Sequence, residues 1–129
     1  MANTITIAPV YGTGGSKLLV LAVNIISDGS QESTTILYNN STYVNNAKKG
    51  RLMGVQASGS SCICRLSWDQ TTAFPIVSFN PQSTFQIDWN SFNGIYNPGA
   101  AGATGNIILH TTGLTNTSEV NMFLYIKQI

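Results

Sequence analysis

The feature that most constrains this chain is its punctuation. Short apolar runs alternate with period two, and turn-forming residues end each of them. The runs cover 4–8, 18–26, 34–38, 52–57, 62–68, 74–79, 84–89, 106–112 and 120–127. Between them fall Gly12-Thr13-Gly14-Gly15, Asp28-Gly29, Lys49-Gly50, Ser58-Gly59, Asn80-Pro81 and Asn97-Pro98-Gly99. These residues preset or tolerate the dihedrals that turns require. No window of a dozen residues carries apolar side chains at sustained helical spacing. About eight or nine short strands with little or no helix predict an all-β, single-domain antiparallel β-sandwich of jelly-roll type. A length of 129 residues fits one domain. Within it, 1–15 reads as an extended N-terminal arm or first strand, and 16–129 as the sandwich.

Alternation also assigns faces. In SCICRLSWD, Cys62, Cys64, Leu66 and Trp68 share a core side, and Ile63, Arg65 and Ser67 a wetter one. In TFQIDWN, Phe85, Ile87 and Trp89 oppose Thr84, Gln86 and Asp88. Two runs break this rule. In LLVLAVNII, Leu19, Leu21, Val23 and Ile25 lie opposite Leu18, Val20, Ala22 and Ile26. In VNMFLYIKQI, Val120, Met122, Leu124 and Ile126 lie opposite Phe123 and Tyr125. A strand apolar on both faces needs cover on both. The second cover is either a long loop, for which the small-residue stretch 100–105 is the candidate, or another subunit.

Charge narrows the partners. Six Lys/Arg and five Asp/Glu make 9% of the chain and a net charge of +1, against about 25% charged residues in an average domain. Such a balance offers no electrostatic footprint for nucleic acid or for an anionic membrane. The one basic cluster, Lys48-Lys49-Gly50-Arg51, reads as a solvated turn. A polar but nearly uncharged Ser/Thr/Asn surface leaves little repulsion between copies, which favours packing against neighbours. The start, MANTITIAPVYG, lacks a basic segment followed by an apolar core, so no export signal is expected. The longest apolar run, 18–23, is too short to span a bilayer.

The residues that carry chemistry are few. Cys62 and Cys64 sit two apart in a strand, where a bridge is strained and two thiols do not complete a zinc site. They read as reduced, buried thiols. His110 is the only imidazole, and a catalytic role would need a carboxylate such as Asp69 or Asp88 brought beside it. Of the five carboxylates, Asp28, Glu32, Asp69, Asp88 and Glu119, the first two fall in a turn-like stretch that favours solvated roles. Gly12-Thr13-Gly14-Gly15 and the set Gly99, Gly102 and Gly105 lead into strands. A phosphate-binding glycine loop opens a helix instead, so both read as turns. Trp68, Trp89, Phe92 and Tyr96 are the aromatics from which a sugar-stacking platform would be built, although both tryptophans fall on core faces. No catalytic, cofactor-binding or metal-binding residue is assigned.

Two stretches carry a resemblance: CRLSWDQTTAFP, from Cys64 to Pro75, and FNGIYNPGAAGATGNIILHTTG, from Phe92 to Gly113. With the closing NMFLYIKQI they resemble a group of small virion-associated proteins of tailed bacteriophages, many from marine and cyanobacterial hosts. The resemblance implies a β-rich, non-enzymatic homo-oligomer, often a trimer. It implies a cement or decoration protein on the capsid exterior, with the major capsid protein as partner and no active-site residues. Two alternatives remain at this stage: a tail, fibre or head–tail component of the virion, and a carbohydrate-binding module. Two structural expectations follow. The segment 1–15, hinged by its glycines, serves as an arm that adds a strand to a neighbour. The stretch 100–105 crosses a crowded seam, against a two-sided strand or another subunit.

Overall fold

The computed structural model describes residues 3–11, 18–39, 51–89, 91, 94–96 and 101–127. Ten strands carry them: β1 (Thr4–Tyr11), β2 (Leu18–Asp28), β3 (Thr35–Tyr38), β4 (Arg51–Gly59), β5 (Ile63–Trp68), β6 (Phe74–Phe79), β7 (Phe85–Asp88), β8 (Ile95–Tyr96), β9 (Ile107–Thr112) and β10 (Asn116–Lys127). Each of the nine runs read from the sequence is a strand. The two-residue β8 is the addition. A 3-10 turn at Pro81–Ser83 joins β6 to β7, and the Asn80 side chain accepts from the Gln82 N–H at 3.0 Å. Among the described residues there is no α-helix.

One sheet runs in the order β1-β2-β10-β4-β7, with β8 appended to β4, and the other in the order β3-β9-β5-β6. The pairing is nested. β5 pairs with β6, β4 with β7, β3 with β9 and β2 with β10, all antiparallel. This is one long hairpin folded over itself, with successive rungs falling alternately in the two sheets. The lateral pairs β4–β10 and β5–β9 join the rungs within each sheet. That arrangement is a jelly-roll sandwich, the fold class the alternation predicts.

The inward faces meet in one core. Leu19, Leu21, Val23 and Ile25 of β2 and Val120, Met122, Leu124 and Ile126 of β10 form one side. Cys64, Leu66 and Trp68 of β5 and Ile107 and Leu109 of β9 form the other. Phe79 stacks on Phe85 across the edge of the sandwich, with ring centroids 4.7 Å apart. β7 lies at a sheet edge, so Phe85 and Ile87 are half-buried and only Trp89, just past its end, is fully covered.

Of the two readings of the first segment, arm or first strand, residues 4–11 form the first strand. Thr4–Tyr11 pairs with β2 from Thr4 opposite Ile26 to Tyr11 opposite Val20, and Ile5 and Ile7 pack on the core. Its backbone groups on the β2 side are therefore satisfied within the chain; the opposite side forms the sheet edge. The glycine hinge at 12–15 lies outside the described residues.

The turn after β2 is also more than a solvated loop. The Asn3 amide donates to the Ser30 carbonyl at 3.0 Å and to the Glu32 carboxylate at 2.5 Å, and its oxygen accepts from the Asp28 N–H at 3.1 Å. The Thr35 hydroxyl donates to the same carboxylate. Gln31 donates to the Leu114 carbonyl at 2.8 Å and accepts from the Leu114 N–H at 3.0 Å. Asp28 is held below its ordinary carboxylate value by Ser30, through its side chain first and its backbone second. Glu32 thus acts as a hydrogen-bonding hub joining the start of β1 to the start of β3.

The core sets a stability contrast. Leu21 is fully buried opposite Leu124, whereas Thr6 is exposed on the outer face. In denaturant titrations Leu21→Ala is expected to cost about 3 kcal/mol, and Thr6→Ala no more than about 0.5 kcal/mol.

Candidate functional site

The register fixes what the outer face of the five-stranded sheet displays, because alternate residues point to opposite faces. Across β1, β2, β10, β4 and β7, the central row is Ala8, Ala22, Phe123, Gln56 and Gln86. On one side lies Thr6, Asn24, Asn121 and Ser58, and beyond it Thr4, Ile26 and Glu119. On the other side lies Val20, Tyr125, Gly54 and Asp88, and beyond it Leu18, Lys127 and Arg51. This is the second apolar face of the two-sided strands. Leu18, Ile26 and Phe123 are 40%, 47% and 39% exposed on it.

Two local features shape this face. Gly54 has no side chain between Tyr125 and Asp88, so a groove of about 430 Å³ opens there. A Cβ at Gly54 would meet the Ile87 carbonyl oxygen at 3.0 Å, so β4 and β7 approach closely along its floor. The Tyr125 hydroxyl donates to Gln56 Oε1 at 3.2 Å. Toward the Glu119 end, Asn24 Nδ2 donates to Asn121 Oδ1 at 2.7 Å and to Glu119 Oε2 at 2.9 Å. Neutral amides therefore flank the aromatic ridge of Phe123 and Tyr125.

The residues considered for catalysis lie apart. His110 is half-buried on the outer face of the four-stranded sheet, directly opposite Arg65. Its cross-strand neighbour is a cation, where an acid–base histidine needs an orienting carboxylate. Asp88 is on the outer face of the other sheet. Asp69 follows β5 and accepts the Thr104 hydroxyl at 2.9 Å. Glu119 sits at the end of the larger sheet, and Asp28 and Glu32 in the turn already described. Among the described residues, no group of three His, Cys, Asp or Glu side chains is placed to hold a metal ion.

The other candidates resolve individually. Cys62 and Cys64 are free and buried, with sulfurs 3.7 Å apart, and burial pushes both thiols above their ordinary value. Trp68 and Trp89 are 0% and 8% exposed, on the core side where the alternation puts them, and neither offers a stacking surface. Phe92, the side chain of Tyr96, and 48–50 of the basic cluster lie outside the described residues. Arg51 opens β4, with its backbone paired to Tyr96.

The stretch at the seam is closely packed, and within the chain its neighbour is the connection after β5 and not a two-sided strand. The Thr71 N–H donates to the Ala101 carbonyl at 3.0 Å, Thr104 N–H to the Asp69 carbonyl at 3.1 Å, and Asp69 N–H to the Asn106 carbonyl at 2.9 Å. The stretch 101–106 is therefore laced to the connection after β5 in its own chain. Gly102 has φ 78°, and a Cβ there would fall 2.9 Å from the Thr71 backbone nitrogen. Only glycine accepts both the left-handed dihedral and that approach.

Alternation in β2 and β10 was the sequence signal for the outer face. The Gly54 groove had none, since it depends on which residues β10 and β7 place beside β4.

Gly102→Leu is expected to destabilise the fold by about 2 kcal/mol or more in thermal or chemical unfolding, whereas Thr104→Ser retains the hydroxyl to Asp69 and stays near wild type. Both thiols are expected to resist iodoacetamide in the native protein and to label fully in denaturant, read by mass spectrometry.

Comparison with known proteins finds no family model, no curated protein and no solved structure that matches this chain.

Proposed function

We propose that this chain is a non-enzymatic structural protein of a tailed-phage virion. In this reading it is a cement or decoration protein that self-associates, binds the major capsid protein and stabilises the head shell. It assembles in the bacterial cytoplasm and resides on the capsid surface.

The observation that carries the reading is how the two resembling stretches are used. They supply most of β5, the first two residues of β6, β8 and β9, with β5 paired to both β6 and β9, and the loops joined through Asp69, Thr71, Ala101 and Thr104. Their residues hold one end of the sandwich together, which is the work of a scaffold rather than of a reaction centre. The outer face adds to this. It has an apolar ridge among neutral amides, a surface suited to contact with protein. In a shell, each contact can be weak because repetition supplies avidity.

The test is co-sedimentation of purified protein with empty capsids of the source phage, followed by heating or chelation. Saturable binding at hundreds of copies per particle, with raised capsid resistance, is the expected result. Six or twelve copies would move the assignment to the tail or the head–tail junction. Absence from the particle would overturn the virion reading.

A further inference from the structure

We infer that the outer face of the five-stranded sheet is where a second copy of this chain docks, face to face about a two-fold axis. The inference deepens the self-association in the reading above, yet it concerns the purified chain alone and needs no capsid.

Position is the first argument. Phe123 lies in the middle row of the face and on β10, the middle strand of β1-β2-β10-β4-β7. It is a large apolar side chain, 39% exposed, at the geometric centre of the surface. Buried anchors of protein interfaces concentrate at such centres. Beside it in the same row lie Ala22 and Ala8, which leave a shallow trough one and two strands away. A two-fold axis across the strands lays β10 over its own copy, so the Phe123 rings of the two protomers meet at the centre, beside the low surface of Ala22 and Ala8. Aligned packing of two sheets is an established way to bury such faces.

Charge is the second. No charged residue occupies the middle row, and Asn24, Asn121, Gln56 and Gln86 surround the aromatic ridge. Glu119 stands at one end of β10 and Lys127 at the other, where Lys127 and Arg51 outnumber the single carboxylate of Asp88 one row in. A two-fold axis across the strands sets the Glu119 end of each copy over the Lys127 end of its mate. An apolar centre with a polar, oppositely charged rim is the usual anatomy of a specific interface.

Area is the third. Nineteen outward positions in the five rows, each about 4.8 Å by 7 Å, give a footprint of roughly 640 Å². A stable interface takes about 600–1,000 Å² from each partner. The outer face of the smaller sheet does not meet these conditions. Its exposed Ile36 and Ile63 are separated by the row that holds Arg65 and His110, so stacking two copies would place like charges together.

The experiment is sedimentation equilibrium of the full chain, with circular dichroism on each variant. The wild type is expected to form a dimer. Phe123→Asp and Ala22→Arg should each weaken it by about 30-fold or more, while Ile63→Asp leaves it unchanged. Glu119→Lys, at an exposed site that keeps the fold, should weaken it, and adding Lys127→Glu should restore it. A monomeric wild type, a trimer insensitive to these changes, or disruption by Ile63→Asp alone would overturn the inference. If Phe123→Asp fails to fold, Ala22→Arg and the charge swap still decide. Loss of capsid binding by an intact dimer would count against the virion reading and leave this one standing.

Discussion

The ladder between β2 and β10 is the contact on which the rest of the molecule depends. It runs from Leu18 opposite Lys127 to Asp28 opposite Asn116 and places early and late segments of the chain side by side. It is the outermost rung of the nested hairpin, so the inner rungs β3–β9, β4–β7 and β5–β6 form within a closed frame. Its register carries the packing as well. With Leu21 opposite Leu124 and Ala22 opposite Phe123, the two leucines enter the core and the alanine and phenylalanine face out. A slip of one residue would exchange them, exposing the best core residues and burying Asn24 and Asn121.

The polar residues are used in the same structural way. Glu32 gathers hydrogen bonds from Asn3 and Thr35. Asp69 takes the Thr104 hydroxyl, and Gln31 holds the backbone of Leu114 on both its donor and its acceptor. These bonds satisfy the connections between sheets, where no ladder supplies partners. His110 and Arg65 face one another across β9 and β5, and the two thiols lie in the core, each shielded from the solvent that would make it reactive. A chain with so few charged groups has given several of them local architectural roles, which is why they do not converge on one point.

Much of this was legible in the residues, and the limits follow from physics. Period-two alternation located nine strands, because each strand's faces are decided by its own neighbours in sequence. It identified Cys62, Cys64, Leu66 and Trp68 as core for the same reason. It did not reveal β8, whose two residues at Ile95 and Tyr96 are too few to show a period. It left the first segment as an arm or a first strand, since an extended segment reads alike whether paired or not, and 4–11 form β1 at the sheet edge. It placed a close approach at Gly102 but did not name its neighbour within the chain, because Thr71 lies some thirty residues away and meets it only through the β5–β9 pairing.

The sequence by itself determined the all-β class, the strand positions, the buried side of each strand and the two strands apolar on both faces. These are local properties, set by side-chain period and turn chemistry. Only the tertiary structure decided which strands pair, and with what offset. Those choices placed Phe123 at the centre of a face, Gly54 as the floor of a groove and Asp69 against Thr104. Pairing is non-local: many partners satisfy the same backbone hydrogen bonds, and burial of both sheets against one another selects among them.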